Sequence, residues 1–395
     1  MSSSAASTPT VEFAPSRGRT LGVEWELGLL DPHTLDLVSR ADHLLDLAGI
    51  DTTEGGGPPP GRTLHTRHTK TRSTLTKELL RNTVEVVTGV CANAAEAAAD
   101  LQEGLERVRR AAAELDVLLY GGGSHPFARW ADQEVTPGER YATLIDRTQW
   151  WGRQMVIFGV HVHVGVTSAA KVWPLVNALL TYHPHLTALA ASSPWWAGED
   201  TGYASNRTML FQQLPTAGLP FQFESWPDYR SYLHDVFTTG VVSDATELRW
   251  DIRPSLRLGT IEVRACDGMS DPREVAAVAA LVHCLVADLE CRLDEGTLPQ
   301  PLPPWHLQEN KWRAARYGLE AIVILDAESR EGSVVEDLYG LLERLTPVAR
   351  RLGCVPELAG IEGILRDGAG YQRQRAAVAA AGGDLAAAVR AMTVR

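Results

Sequence analysis

The chain has few cysteines for its length, five in 395 residues, and no two of them form a Cys-x-x-Cys pair. A disulfide framework would require an even set at close spacings, as in small secreted proteins. An odd and scattered set is typical of proteins that stay in a reducing compartment. We therefore expect a cytoplasmic protein without structural disulfides.

Positive charge and long apolar runs are also scarce. The 37 lysines and arginines are outnumbered by 49 acidic residues, and the net charge of −12 argues against a nucleic-acid partner, which needs a basic field. Nucleotides remain possible ligands, because divalent metals bridge phosphates to protein carboxylates. No apolar run reaches about 18 residues, so we expect neither a membrane span nor a membrane partner.

The sequence contains no repeat and no clear interdomain linker. Residues 1–19 are rich in Ser, Ala, Thr and Pro and lack the apolar segment of a signal peptide, so we expect a disordered tail. The remainder, 20–395, has an ordinary globular composition, with 45% hydrophobic and 22% charged residues over the whole chain. We interpret it as a single domain that ends in a helical part, 326–395.

Local composition predicts loops and helices within this domain. A Gly- and Pro-rich stretch at 54–61 predicts a mobile loop. The basic stretch that follows, 62–77, could meet phosphates or an anionic substrate, although a solvated loop is the simpler explanation for each residue in it. Apolar residues at helical spacing predict helices over 94–115 and 172–190.

The segment Leu21–Leu30 alternates apolar and polar residues and ends at an Asp-Pro turn signal, which predicts a β-strand. Alternate side chains on a strand share a face, so Glu24 and Glu26 point the same way. Adjacent carboxylates repel each other and are costly to bury unpaired, which favours a divalent metal or a cationic side chain between them. A strand with one solvated face explains the same pattern without a site.

A second carboxylate strand is predicted at 84–88, where β-branched residues surround Glu85. Glu78 lies seven residues earlier and would not share a face with Glu85 on a continuous strand. We expect a bend near 81–83 that brings the two carboxylates together.

The strand predicted at 158–166 places His161 and His163 on one face and valines on the other. Neutral imidazoles offer lone pairs to a metal, and two on one strand are a common ligand arrangement. Hydrogen-bonded core histidines are the alternative. Because the carboxylate strands supply the rest of a site, we favour contact with metal or phosphate for at least one histidine.

Charged pairs also occur on the strands predicted at 248–255 and 260–267. Arg253 lies on the first strand, and the second places Glu262 and Arg264 on one face. Structural ion pairs on an edge strand would explain these residues if they stood alone.

Two further cations are candidate anion contacts. Arg207 follows a long polar and aromatic loop, the kind of segment that carries substrate contacts, and could hold a carboxylate or phosphate in a bidentate grip. Lys311 lies on a predicted helix and could contact phosphate, although a solvated helix face explains it equally well.

Taken together, several strands each present charged or imidazole side chains on one face. This predicts an α+β fold in which a largely antiparallel sheet lines a cavity with its polar face and is covered by helices on its apolar face. Several carboxylates, histidines and arginines together are typical of a multi-metal site with hard oxygen ligands. Mg²⁺ or Mn²⁺ with the phosphates of ATP is the expected occupant.

Six motifs stand in order over about residues 20–325: G-V-E-W-E at 22–26, Glu78 with V-E-V-V-T-G at 84–89, G-V-H-V-H-V-G at 159–165, E-D-T-G-Y-A-S at 199–205, W-D-I-R-P-S at 250–255 and E-V-R at 262–264. The ordered set resembles the carboxylate–amine ligases of the type 2 glutamate–cysteine ligase family, the YbdK-like group. The resemblance implies a glutamine-synthetase-like catalytic fold, in which a curved antiparallel sheet forms a funnel, with the ligase core over about 20–325.

By the same resemblance, the metal ligands or their close neighbours would be Glu24, Glu26, Glu78, Glu85, His161 and Glu262. Glu262 and Arg264 would be catalytic, with Arg264 on the transferring phosphate. We assign four further residues to substrate or ATP binding: His163, Arg207, Arg253 and Lys311.

The resemblance implies ATP-dependent formation of an amide bond, a γ-glutamyl bond by the family's pattern, through an acyl phosphate. ATP and Mg²⁺ or Mn²⁺ would be the cofactors. The partners would be small carboxylate and amine substrates, with a homodimer compatible with the sequence. Three alternatives stay open: a ligase of a specialised pathway with another acid or amine, a metal-dependent hydrolase of the amidohydrolase type, and a non-catalytic metal- or nucleotide-binding protein.

Overall fold

The structure, a computed structural model, describes residues 12–50 and 73–394. The loop predicted at 54–61 and all but the end of the basic stretch 62–77 lie outside the described residues. None of the helices in the described part of the chain is both long and apolar enough to cross a membrane.

Strands and helices are interspersed along the chain, often as two or more consecutive elements of one type. The strands are Leu21–Leu30 (β1), Thr74–Lys77 (β2), Thr83–Val87 (β3), Leu118–Tyr120 (β4), Gly159–Gly165 (β5), Trp195–Trp196 (β6), Glu199–Asp200 (β7), Ile252–Ser255 (β8), Thr260–Asp267 (β9), Ile322–Ile324 (β10) and Glu331–Ser333 (β11).

The α-helices are Ala41–Leu47 (α1), Ala94–Glu114 (α2), Glu139–Arg153 (α3), Ala169–Leu180 (α4), His183–Ala190 (α5), Asn206–Phe211 (α6), Trp226–Thr238 (α7), Pro272–Asp294 (α8), Pro304–Tyr317 (α9), Val334–Leu352 (α10), Val355–Asp367 (α11), Gly370–Ala380 (α12) and Ala386–Ala391 (α13).

The main sheet of the described residues has seven strands. Six follow the order β2-β3-β1-β5-β9-β8, and the seventh, β4, pairs with the end of β1. Each of these pairings is antiparallel. The short pairs β6-β7 and β10-β11 are separate hairpins. The expectation of an α+β fold with a largely antiparallel sheet is confirmed.

The two faces of the sheet follow from the alternation in its strands. On β1, Val23, Trp25 and Leu27 are at most 1% exposed and form one continuous core with the valines of β5. Helices α2 and α8 cover this apolar face. A burial of this kind stabilises the fold by roughly 1.5–3 kcal/mol for each large apolar side chain. The opposite face of the sheet carries the charged residues.

Residues 12–19 differ from the disordered tail predicted for 1–19. Phe13 is buried against Trp226, with ring centroids 5.4 Å apart. The backbone N–H of Ala14 donates to the carbonyl of Leu256. The physical reason is that the apolar ring packs against α7 and the backbone donor finds a partner at the end of the edge strand β8. Residues 1–11 lie outside the described part.

Candidate active site on the polar face of the sheet

Strand register brings the predicted carboxylates and imidazoles together. Glu24 of β1 lies opposite His161 of β5. Glu26 of β1 lies opposite Glu85 of β3. Because residues opposite each other in antiparallel strands share a face, these side chains converge on the polar face. The next strand continues the pattern, with Glu262 of β9 opposite His163 of β5 and Arg253 of β8 opposite Glu262.

Glu24 bridges the two histidines. Its Oε2 lies 2.9 Å from Nδ1 of His161, and its Oε1 lies 3.2 Å from Nε2 of His163. Burial opposes ionisation of Glu24, but the two imidazoles hold the pKa of its carboxyl well below the usual value. Burial and the Arg264 guanidinium lower the pKa of His161, which keeps that ring neutral and able to act as a ligand.

Glu26, Glu78 and Glu85 form a second cluster, whose carboxylate oxygens lie within 4.8 Å of one another. Glu78 follows β2, and the turn between β2 and β3 folds it back towards Glu85, as predicted from the sequence. Burial and the Glu26 carboxylate raise the pKa of Glu78 to about 8. Burial and Glu24 raise the pKa of Glu85 well above its usual value. The Arg264 guanidinium offsets these rises in pKa only in part, so burial and repulsion among the three carboxylates dominate.

Glu262 is almost fully buried and lies between two arginines. Nε of Arg253 donates to Glu262 Oε2 at 2.9 Å, and Nη1 of Arg264 donates to Oε1. Burial works against the ionised form, yet the two guanidinium groups hold the pKa of Glu262 well below its usual value. Arg253 also donates to two backbone carbonyls, so all its donating nitrogens have partners.

The donor set fits divalent cations. Three overlapping groups each offer ligand atoms within 4.8 Å of one another: Glu24, Glu85 and His161; Glu24, His163 and Glu262; Glu26, Glu78 and Glu85. Nε2 of His161 is buried without a hydrogen-bond partner, and Nε2 of His163 contacts Glu24 Oε1 at 3.2 Å without forming a hydrogen bond to it. A bound cation would satisfy these lone pairs and offset the repulsion among the carboxylates.

Arg207 of α6 reaches the same face from outside the sheet. Its guanidinium packs over the backbone of Gly159, where a Cβ atom would collide with Nη2. Arg207 is 3% exposed, donates one hydrogen bond to the carbonyl of Arg264 at 3.2 Å, and leaves Nε unpartnered. Both arginines lie within 6 Å of the Phe211 ring, and Nε of Arg264 is unpartnered as well. The pair is positioned for an anion.

Lys311 is not brought to this cluster. It is 2% exposed on α9, and its Nζ lies 2.7 Å from Oδ2 of Asp251, which also accepts from Nε2 of His183 at 3.1 Å. A phosphate contact would require Lys311 to leave this buried pair. The phosphate contact of Lys311 stays a prediction, and the buried ion pair with Asp251 argues against it.

Sequence reasoning missed two residues beside the cluster. Tyr141 of α3 is buried, and its hydroxyl donates to the carbonyl of Lys77, next to Glu78. The ring of Phe211 lies within 6 Å of both guanidinium groups. Both look like ordinary apolar positions of amphipathic helices, so the sequence carries no signal that would have singled them out.

Solved structures share this fold. Glutamate–cysteine ligase of Francisella tularensis, solved with AMP, matches with a TM-score of 0.63 at 12% identity, over 96% of this chain and 88% of that one. A bifunctional glutathione synthetase of Pasteurella multocida matches with a TM-score of 0.61 at 15% identity, over 95% of this chain. The present chain spans 52% of that bifunctional enzyme. The fold is that of the glutamine-synthetase-like ligases.

The family model described as glutamate-cysteine ligase family 2 matches residues 20–391, and the chain belongs to this family. A protein of Mycobacterium sp. (strain JLS), provisionally named glutamate–cysteine ligase 2-1, is 54% identical over 97% of this chain and 96% of its own length. A protein of Nocardia farcinica (strain IFM 10152) with a similar provisional name is 54% identical over 97% of both chains.

Family membership makes the protein an ATP-dependent carboxylate–amine ligase of small molecules, which implies ATP and a divalent metal. Neither the family nor the antiparallel sheet favours a hydrolase of the amidohydrolase type, whose barrel would alternate parallel strands with helices.

Proposed function

We propose that the protein joins the γ-carboxylate of L-glutamate to the amine of L-cysteine through an acyl phosphate, with Mg²⁺ or Mn²⁺, in the cytoplasm. The observation that carries this proposal is the convergence of a carboxylate–imidazole cluster and two arginines with unpartnered donors on one face of the sheet. Family relatives that carry glutamate–cysteine ligase names support the choice of substrates.

Glu24, Glu26, Glu78, Glu85, His161 and Glu262 would hold the metal ions, with His163 at their edge. Bound divalent cations would neutralise charge on the phosphates of ATP. The chain's own contribution is to fix the ligands before substrate arrives, since Glu24 is held by both histidines and Glu262 by two arginines.

Two successive substitution steps form the amide. A carboxylate oxygen of the acid attacks the γ-phosphorus of ATP, the bond to the β-phosphate oxygen breaks, and ADP leaves. The amine nitrogen then attacks the acyl carbon, phosphate leaves with the electron pair of the C–O bond, and the proton lost by the nitrogen passes to the departing phosphate or to water. Arg264 and Arg207 supply donors for the oxygens of the transferring group, where a single such contact is worth about 2.7–4 kcal/mol in the transition state.

Hydroxylamine trapping tests the proposal. The enzyme is incubated with ATP, Mg²⁺ or Mn²⁺ and hydroxylamine across a panel of amino acids and other carboxylates, and phosphate and pyrophosphate are both measured. We expect a hydroxamate of glutamate together with ADP and phosphate. A hydroxamate of a different acid would show that the substrate is not glutamate and would favour a ligase of a specialised pathway. Release of pyrophosphate would show that the intermediate is an adenylate and not an acyl phosphate.

A further inference from the structure

We propose that Asp267 is a positioning residue for the ligase reaction: through Ser193 and Ser205 it fixes Arg207 over Gly159, so that the guanidinium meets the anionic group of the substrate in one orientation. This inference rests on the proposed function for the identity of the anion. It does not require Asp267 to contact substrate.

Asp267 lies beside the position that Arg207 occupies. It is the last residue of β9 and stands opposite Gly159 of β5 in the sheet register. Side chains of opposed residues share a face, and the missing side chain of Gly159 is the space into which the Arg207 guanidinium packs. Asp267 and Arg207 are therefore neighbours on the polar face, although no Arg207–Asp267 ion pair forms between these two described residues.

Two serines connect the carboxylate to the helix that carries Arg207. Oγ of Ser205 donates to Oδ1 of Asp267 at 2.7 Å and, as the residue before α6, accepts the N–H of Thr208 at 3.3 Å. Oγ of Ser193 donates to Oδ2 of Asp267 at 2.6 Å and accepts the backbone N–H of Arg207 at 2.9 Å. Asp267 thus fixes both the first turn of α6 and the backbone of Arg207 itself.

Charge and burial explain why an acid is used here. Asp267 is 1% exposed and Arg207 is 3% exposed, so each would be costly alone in the interior. The carboxylate directs its oxygens at hydroxyl and backbone donors rather than at the guanidinium. It therefore compensates the positive charge through space and leaves the donors of Arg207, including the unpartnered Nε, available for an anion.

A double-mutant cycle tests this arrangement. The variants are Asp267→Asn, Arg207→Gln and the pair, assayed for kcat/KM with ATP, glutamate and cysteine. If Asp267 acts through Arg207, Asp267→Asn lowers kcat/KM by roughly 10- to 100-fold in the parent and by less than about twofold in the Arg207→Gln background. Ser193→Ala, which removes one hydroxyl only, shifts kcat/KM in the same direction and serves where Asp267→Asn does not fold.

The matched control is Asp337→Asn, which removes a carboxylate away from this network, in contact with His185 at 2.8 Å. Its effect on kcat/KM is expected to be small and equal in both backgrounds. Equal losses from Asp267→Asn in both backgrounds would overturn the proposal, because a merely structural residue does not depend on Arg207.

Hydrogen exchange separates this inference from the proposed function. In the substrate-free protein, Asp267→Asn and Ser193→Ala should speed amide exchange in α6, Asn206–Phe211, by roughly tenfold or more, while Asp337→Asn leaves it unchanged. This readout decides the inference even if no acid is turned over in the hydroxylamine assay. Unchanged exchange in α6 in both Asp267→Asn and Ser193→Ala would overturn it.

Discussion

At the scale of single residues, the polar face of the sheet gathers buried carboxylates, some of which raise one another's pKa. Glu78 and Glu85 both have raised pKa values, caused by burial and by the neighbouring carboxylates of β1. Gathering like charges in this way is costly, and either protonation or a bound cation relieves the repulsion. Substitution of a ligating residue should therefore lower activity and also weaken the stabilisation of the protein by metal.

Glu24 provides the first prediction, because it belongs to two of the candidate ligand groups. Glu24→Gln should lower ligase turnover by two to three orders of magnitude, equivalent to about 2.7–4 kcal/mol. It should also remove the thermal stabilisation by Mn²⁺, about 2.7 kcal/mol for the parent at 100 times Kd. The control is Glu114→Gln, an exposed residue at the end of α2. Normal Mn²⁺ stabilisation in Glu24→Gln would contradict the ligand assignment.

Gly159 provides the second prediction, because its missing side chain makes room for Arg207. In Gly159→Ala the new methyl collides with the guanidinium, which is flexible enough to move, so the fold survives while the anion contact is displaced. We expect kcat/KM to fall by roughly 10- to 100-fold with little change in melting temperature. Gly22→Ala is the matched strand control, since its Cβ would meet His163 at an ordinary 3.6 Å. Equal kinetics in the two variants would argue against the placement of Arg207.

At the scale of secondary-structure elements, buried ion pairs tie helices to the sheet. Lys311 of α9 and His183 of α5 both meet Asp251, immediately before β8. Burial opposes ionisation of Asp251, but Lys311 and His183 hold the pKa of its carboxyl far below the usual 3.8. A depressed pKa of an acid means that the ionised pair stabilises the fold above pH 3.8 and that this contribution is lost as the pH falls further.

The third prediction follows for Lys311→Met. Breaking a buried pair from one side should lower the free energy of unfolding by about 3–5 kcal/mol at pH 7, with KM for ATP within about twofold of the parent. The gap to the parent should narrow as the pH falls below 3.8. Urea denaturation at several pH values measures both effects, with the exposed Arg366→Met as a control expected to be nearly neutral. A raised KM for ATP at parental stability would restore Lys311 as a phosphate contact.

Much of the sheet could be predicted because the alternation of apolar and polar residues along a strand can be recognised within a short segment of sequence. The strand expected at 260–267 is β9, and the pairs Glu24/Glu26 and His161/His163 share a face as expected. The helix expected over 172–190 is instead two helices, α4 and α5, since the chain breaks at Thr181 and Tyr182 ahead of Pro184. Such breaks depend on packing, which the alternation of residues does not encode.

The roles of cations were harder to predict than those of carboxylates. Glu24, Glu26, Glu85 and Glu262 lie on strands, so their direction follows from the sheet. The directions of Arg207 and Lys311 depend on how α6 and α9 dock: Arg207 reaches the carbonyl of Arg264, whereas Lys311 reaches the carboxylate of Asp251. Docking of a helix is a tertiary property that intrinsic propensity leaves undetermined.

At the scale of the whole molecule, the C-terminal helices are part of the structure rather than an appendage. The N–H of Val394 donates to the carbonyl of Leu119, and the carbonyl of Met392 accepts from Gly121, next to β4. Leu338 and Ile361 are fully buried in the core cluster shared with the sheet. The boundary near residue 325, taken from the family motifs, therefore does not mark a separable unit.

The fourth prediction concerns truncation after Leu325. Removal of α10 to α13 would expose the apolar surface of α8 that they cover, so the shortened chain should be aggregated or unfolded, with no cooperative thermal transition. Circular dichroism and size-exclusion chromatography of the two forms make the comparison. A folded 1–325 fragment with a cooperative transition would contradict the single-domain interpretation.

The measurement that tests the central claim most directly is oxygen transfer from the acid to phosphate. Glutamate labelled with ¹⁸O in its γ-carboxylate is turned over with ATP, cysteine and Mg²⁺, and the released phosphate and nucleotide are analysed by mass spectrometry. An acyl phosphate predicts one ¹⁸O atom in each inorganic phosphate and none in the nucleotide, because the carboxylate oxygen stays on phosphorus when the amine attacks. Unlabelled phosphate, or ¹⁸O in AMP, would contradict the account.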